Sequence, residues 1–131
     1  MNITDSGLVP EKLSHKAMGY RGEEIAVEYL TAQGYRILAR NWQSHHLEID
    51  IIAEKGPFIV FFEVKQRSSL SFGAPEVFVD RQKQRRIITA ANHFIQRYRI
   101  EKEARFDIIA ILTTPEGNEI KQITNAFSPT W

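Results

Sequence analysis

The segment Phe58–Val64, FIVFFEV, is the most hydrophobic in the chain, and it runs straight into an acid and a base placed two apart, Glu63 and Lys65. Side chains of an extended strand alternate between faces, so Glu63 and Lys65 project from the same side as Ile59 and Phe61. Residues 105–112 form a second near-continuous apolar run, of the kind buried on both faces. Strands like these require a sheet covered by other elements. Charges at the end of such a strand are costly unless something compensates them.

The rest of the chain supplies the cover. A helix is expected from about Gly19 to Gln33, on the spacing of Ile25, Ala26, Tyr29 and Leu30, with Gly34 placed to stop it. Strands are expected at 35–42, 47–53 and 58–66, the last two joined by a turn at Lys55-Gly56-Pro57 short enough for an antiparallel hairpin. Residues 68–76 read as an exposed loop. A second helix, 81–98, should bury Ile87, Ile88, Ala91, Phe94 and Ile95. Strands at 105–112 and 119–126 flank a turn at 114–118. The order helix, three strands, helix, two strands implies an α/β fold with a mixed sheet and helices packed on it.

With 131 residues, the chain suits a single domain, 17–131, preceded by a flexible polar lead-in, 1–16. No apolar run approaches a membrane span, and MNITDSGLVPEKLSHK lacks the pattern of a secretion signal. A cytoplasmic protein with no membrane partner is therefore expected. Without cysteine, disulfides and thiolate-bound zinc are excluded. Net charge is only +1, yet residues 61–99 hold eight Lys and Arg against three acids, a local +5 that leaves the remainder at −4. Such segregation presents a basic face to a polyanion, or else marks a solvated helix face.

Three acids occupy awkward positions. At 100° per residue, Glu23 lies at the edge of the first helix's apolar stripe, between Val27 and Leu30, whereas Glu24 and Glu28 point to water. Asp50 sits within Leu47-Glu-Ile-Asp-Ile-Ile-Ala53, with Glu48 on its own face. Through the hairpin, Asp50 comes beside Glu63 and Lys65. Crowded carboxylates resist ionisation, and two resolutions are open: a salt-bridge network centred on Lys65, or a hard divalent cation, Mg2+ or Mn2+, which takes oxygen ligands.

Asp50 followed by Glu63-x-Lys65 resembles the PD-(D/E)xK signature of the restriction-endonuclease-like superfamily. An ordered series carries the likeness further: Gly19-x-x-Gly-Glu-x-x-Ala26, Arg40-Asn41, Glu48-Ile-Asp50, Glu63-Val-Lys-x-Arg67, Phe72-Gly73, Lys83-Gln84 and Arg105-Phe-Asp107. Across about 110 residues it is similar to the YraN-like family of predicted bacterial endonucleases, related to archaeal Holliday-junction resolvases. Leu47 departs from the pattern, standing where the family usually has glycine before Glu-Ile-Asp.

The resemblance implies a restriction-endonuclease-like fold and assigns roles. Asp50 and Glu63 would hold the metal with the backbone carbonyl of Val64, and Glu23 would complete the site directly or through water. Lys65 would position the attacking water. Glu48 would stand behind the ligands without touching the ion. Kinship to resolvases implies structured or branched DNA as substrate and a homodimer as the working form.

The second helix opens Asp80-Arg-Gln-Lys-Gln-Arg-Arg86. Asp80 is a good N-cap, but Arg81 and Lys83 lie in the first turn, where the helix dipole disfavours cations. Phosphates would account for them, so Arg67, Arg81, Lys83, Arg85 and Arg86 are the expected nucleic-acid contacts. His45-His46 reads as a solvated pair, Trp42, Tyr98 and Trp131 as packing aromatics, and Asp107 with Arg105 as a structural ion pair. Two functions from different classes stand: a metal-dependent nuclease, and a non-catalytic DNA-binding or recombination accessory protein that keeps the fold.

Overall fold

The structure, a computed structural model, describes residues 14–68 and 79–129. The elements are α1 (Ser14–Ala32), β1 (Arg36–Ser44), β2 (Leu47–Lys55), β3 (Phe58–Ser68), α2 (Arg81–Tyr98), β4 (Glu103–Thr114) and β5 (Gly117–Phe127). They form one five-stranded sheet in the order β1-β2-β3-β4-β5. Neighbours are antiparallel except β3 and β4, which run parallel and are joined through α2. A parallel pair needs a long crossover, and α2 provides it. The α/β class, the mixed sheet and the order α-β-β-β-α-β-β are those expected from the sequence.

Each face of the sheet carries its own apolar cluster. On one, Ile52, Ile59, Phe61, Phe106 and Ile108 pack with Ile87, Ile88, Ala91 and Phe94 of α2. On the other, Ile51, Ala53, Val60, Phe62, Ile109 and Ile111 pack with Ala26 and Leu30 of α1. This two-sided cover is why β3 and β4 are apolar at successive positions instead of alternating. Ala90 joins the buried face of α2, while Ile95 is only partly buried at its edge, a correction to the expected core.

Chain punctuation follows local chemistry. α1 begins five residues before the expected Gly19, so residues 14–16 of the lead-in are helical. It ends at Ala32, and Gly34 beyond it, at φ +96°, lets the Tyr35 N–H donate to the Leu30 carbonyl. The β2–β3 hairpin turns through Gly56 at φ +57° and Pro57, with Lys55 opposite Phe58, matching a type II′ turn. Asp80 caps α2 by accepting from the Lys83 N–H at 2.8 Å, and Arg99 closes it in the left-handed region. Trp42 is buried against Phe94, as a packing aromatic should be. The expected loop after Ser68, with Phe72-Gly73, and Trp131 lie outside the described residues. Among the described residues, no helix is long and apolar enough to cross a membrane.

Asp107 is 0% exposed and makes the ion pair anticipated with Arg105, which reaches both carboxylate oxygens, at 3.0 and 2.8 Å. Gln122 Nε2 and the Asn125 N–H also donate to it, at 3.0 and 2.9 Å. The Tyr35 hydroxyl joins the network through Arg105 and Gln122. A buried carboxylate with four donated bonds ties β4 to β5 and fixes their register near the irregularity between Phe106 and Ile108.

Candidate active site

The candidate site lies where β2 and β3 part. Their pairing runs from Lys55 opposite Phe58 to Ile51 opposite Phe62. Beyond that point Leu47, Glu48 and Ile49 pair only with β1, while residues from Glu63 to Ser68 follow β4. The next pair along would be Asp50 and Glu63, so both carboxylates stand at the mouth of the fork. Asp50 Oδ2 replaces the missing ladder bond by accepting from the Val64 N–H at 2.8 Å. In a strand the N–H and C=O of one residue point to the same edge, so the Val64 carbonyl is directed into the fork as well.

A break in the pleat gives Asp50 its exposure to the fork. Strict alternation would put Ile49 and Ile51 on one face, yet Ile49 packs on the α2 side with Trp42 and Ile51 on the α1 side. Asn41, between the partners of these two residues, has φ +49°, a conformation that asparagine tolerates better than most side chains. Its side chain hydrogen-bonds Glu23. Asn41 is a site residue to which the motif reading gave no role. An asparagine inside an otherwise regular strand was the available signal.

Glu23 arrives from α1. The neighbouring Gly22 lies over the Gln66 side chain of β3, whose amide end would have to swing aside for a Cβ there, 2.5 Å from Oε1. Glu23 is part-buried, as the helical-wheel reading expected, and Glu24 and Glu28 are exposed. Its Oε1 is buried with no hydrogen-bond partner. Burial raises the Glu23 pKa from its usual 4.5 to about 7; the Asn41 hydrogen bond and Arg40 oppose the rise, and Glu48 and Glu63 add to it.

Asp50 is pushed well above the usual carboxylate range, first by burial and then by the charge of Glu63. The Val64 N–H opposes this, and Glu23 and Glu48 reinforce it. Glu23, Asp50 and Glu63 therefore act on one another, although they come from different layers. Glu63 lies on the α2 face of β3, where its side chain is 12% exposed and pairs with Lys83 Nζ at 3.2 Å. Glu23, on the α1 side, feels the charge of Glu63 only as the smallest contribution to its raised pKa.

The remaining candidates are placed around this cluster. Lys65 is part-buried on β3, two residues from Glu63 and on the same face. Glu48 is exposed opposite Gln43 and bears on the site through its charge. Leu47 packs against the α2-side core at the end of a two-residue turn, Ser44 opposite Leu47. His45, at φ +59°, and His46 form that turn and are exposed. Arg67 is exposed and donates to the Gln66 carbonyl. Arg81, Lys83, Arg85 and Arg86 are exposed on the first two turns of α2.

Among the described residues, no three Asp, Glu, His or Cys side chains are grouped tightly enough to enclose a metal ion as they stand. The donors at the fork are a smaller set, the Asp50 and Glu63 carboxylates and the strand-edge carbonyl of Val64; the unpartnered Glu23 oxygen lies outside it and acts through its charge. That chemistry suits Mg2+ or Mn2+, which are held by one or two carboxylates and retain water.

The family profile described as uncharacterised protein family UPF0102 matches residues 22–111. The chain belongs to this family. A UPF0102 protein of Christiangramia forsetii is 41% identical over 113 residues, covering 86% of this chain and 95% of its own length. One from Flavobacterium johnsoniae is 43% identical over 119 residues, with the same coverage. Another, from Thermodesulfovibrio yellowstonii, is 43% identical over 110 residues, covering 84% of this chain and 95% of its own. The UPF0102 match begins at the glycine beside Glu23 and encloses Asn41, Asp50, Glu63, Lys65, Lys83, Arg105 and Asp107.

Proposed function

We propose that this UPF0102 protein is a divalent-metal-dependent nuclease that hydrolyses phosphodiester bonds in structured or branched DNA. One observation carries the reading: Asp50 and Glu63 stand at the mouth of an opened strand fork, and Glu23, whose buried Oε1 has no partner, acts on Asp50 by its charge from α1. A structural salt-bridge network would satisfy its own acids. Here burial and mutual repulsion leave Glu23 and Asp50 reluctant to ionise, the state a bound cation would relieve.

Asp50, Glu63 and the Val64 carbonyl would hold Mg2+ or Mn2+, with Glu23 joining directly or through water. A cation there would supply polarisation of the scissile phosphate and a lowered pKa for the attacking water. Asp50 is already oriented by the Val64 N–H, which fixes its carboxylate at the mouth of the fork. Lys65, on the Glu63 face, would orient the water and offset charge building on the phosphate. Arg81, Arg85 and Arg86, with Arg67, would track strand phosphates, an interaction that sets affinity without reading sequence. DNA junctions offer several strands to such a surface, and a homodimer would present two forks to them.

The test compares cleavage of plasmid, single strands, flaps and four-way junctions in Mg2+ or Mn2+ by wild type, Glu63→Ala and Lys65→Ala. Both variants are expected to bind DNA and to stop cutting. Equal cleavage by all three would remove the nuclease reading and leave a DNA-binding accessory protein.

A further inference from the structure

Lys83 stands where a cation is locally unfavourable. It occupies the first turn of α2, and its N–H is fixed by the Asp80 carboxylate at 2.8 Å. The helix dipole there favours anions. Its ammonium extends toward the sheet and lies 3.2 Å from Glu63 Oε2. The pair bridges two environments, since the Glu63 side chain is 12% exposed and that of Lys83 45%. One end is a carboxylate of the candidate metal site, and the other opens onto the basic helix surface.

We propose that Lys83 is the resident counter-cation of the fork, exchanged for the divalent ion when DNA arrives. A cation taking Glu63 competes with the Lys83 ammonium for the same carboxylate and repels it. The displaced ammonium stays tethered at a helix N-terminus, an environment that attracts phosphate, and becomes a contact to the strand at the fork. Conversely, a phosphate that draws Lys83 away exposes Glu63 to the cation. Divalent-ion binding and DNA binding are therefore coupled positively, and by linkage each strengthens the other by the same factor. The inference rests on the nuclease reading of the same site.

Isothermal titration calorimetry of wild type, Lys83→Met and Lys83→Arg with Mn2+ alone tests the first half. Lys83→Met should bind Mn2+ about fivefold tighter than wild type, the size expected of a part-exposed ion pair. Lys83→Arg should match wild type. The second half is read from affinity for a duplex in Ca2+ against chelator: the wild-type gain should exceed that of Lys83→Met by about the same fivefold factor. Equal or weaker Mn2+ binding by Lys83→Met overturns the Lys83 proposal alone. Absence of divalent-ion binding in wild type and Lys83→Met alike overturns the nuclease reading with it. Matching thermal melts of the three proteins would exclude misfolding as the source of any difference.

Discussion

Replacing Glu23 with glutamine keeps the side chain's shape and its acceptor for Asn41 while removing the charge. The folded protein holds the Glu23 proton up to about pH 7, whereas the unfolded chain releases it near the usual 4.5. Between those values the native state binds more protons than the unfolded state, so stability falls with rising pH and levels off above about 7. At ~1.4 kcal/mol per pH unit, the gap amounts to roughly 3 kcal/mol. Glu23 is only part-buried, and solvent screening should leave about half of that, near 1.5 kcal/mol. In urea titrations with chelator present, Glu23→Gln should match wild type below about pH 4.5 and exceed it by about 1.5 kcal/mol at pH 8. Thermal midpoints should differ at pH 8 by roughly 5 °C. Millimolar Mn2+ should narrow the difference by stabilising wild type more than the variant. A stability difference that stays constant between pH 4.5 and 8 would refute the premise that Glu23 is desolvated at the fork.

Asp50→Asn should likewise stabilise the metal-free protein at neutral pH, because its carboxylate is raised by burial and Glu63, and should abolish Mn2+ binding by calorimetry. Asp107→Ala leaves the Arg105 guanidinium without its buried partner and should lower unfolding free energy in urea by about 3–5 kcal/mol. Arg99→Gly removes a side chain from a residue at φ +53° and should raise stability by roughly 0.5–1 kcal/mol in the same assay. Asp80→Ala loses the cap on α2 and should lower stability by about 1 kcal/mol.

The α2 boundaries and the β2–β3 turn were legible because their causes are local. Asp80 accepts from an N–H three residues on, and Gly56-Pro57 preset the turn dihedrals. The Asp107–Arg105 pair was legible for the same reason, since i and i+2 share a strand face. Ile95 was misplaced because helical periodicity gives a direction, while the extent of burial depends on how far the sheet reaches beneath it.

The sequence by itself determined the elements, their order and which charged residues lay among apolar ones, since periodicity, capping and turn chemistry act over a few residues. Only the tertiary structure decided that β2 and β3 separate after Ile51 and Phe62, that Asn41 breaks the pleat, and that Lys83 comes down onto Glu63. Those features depend on where a ladder stops and which faces meet, and contacts between residues on different elements are set by the packing of the whole sheet against its two helices.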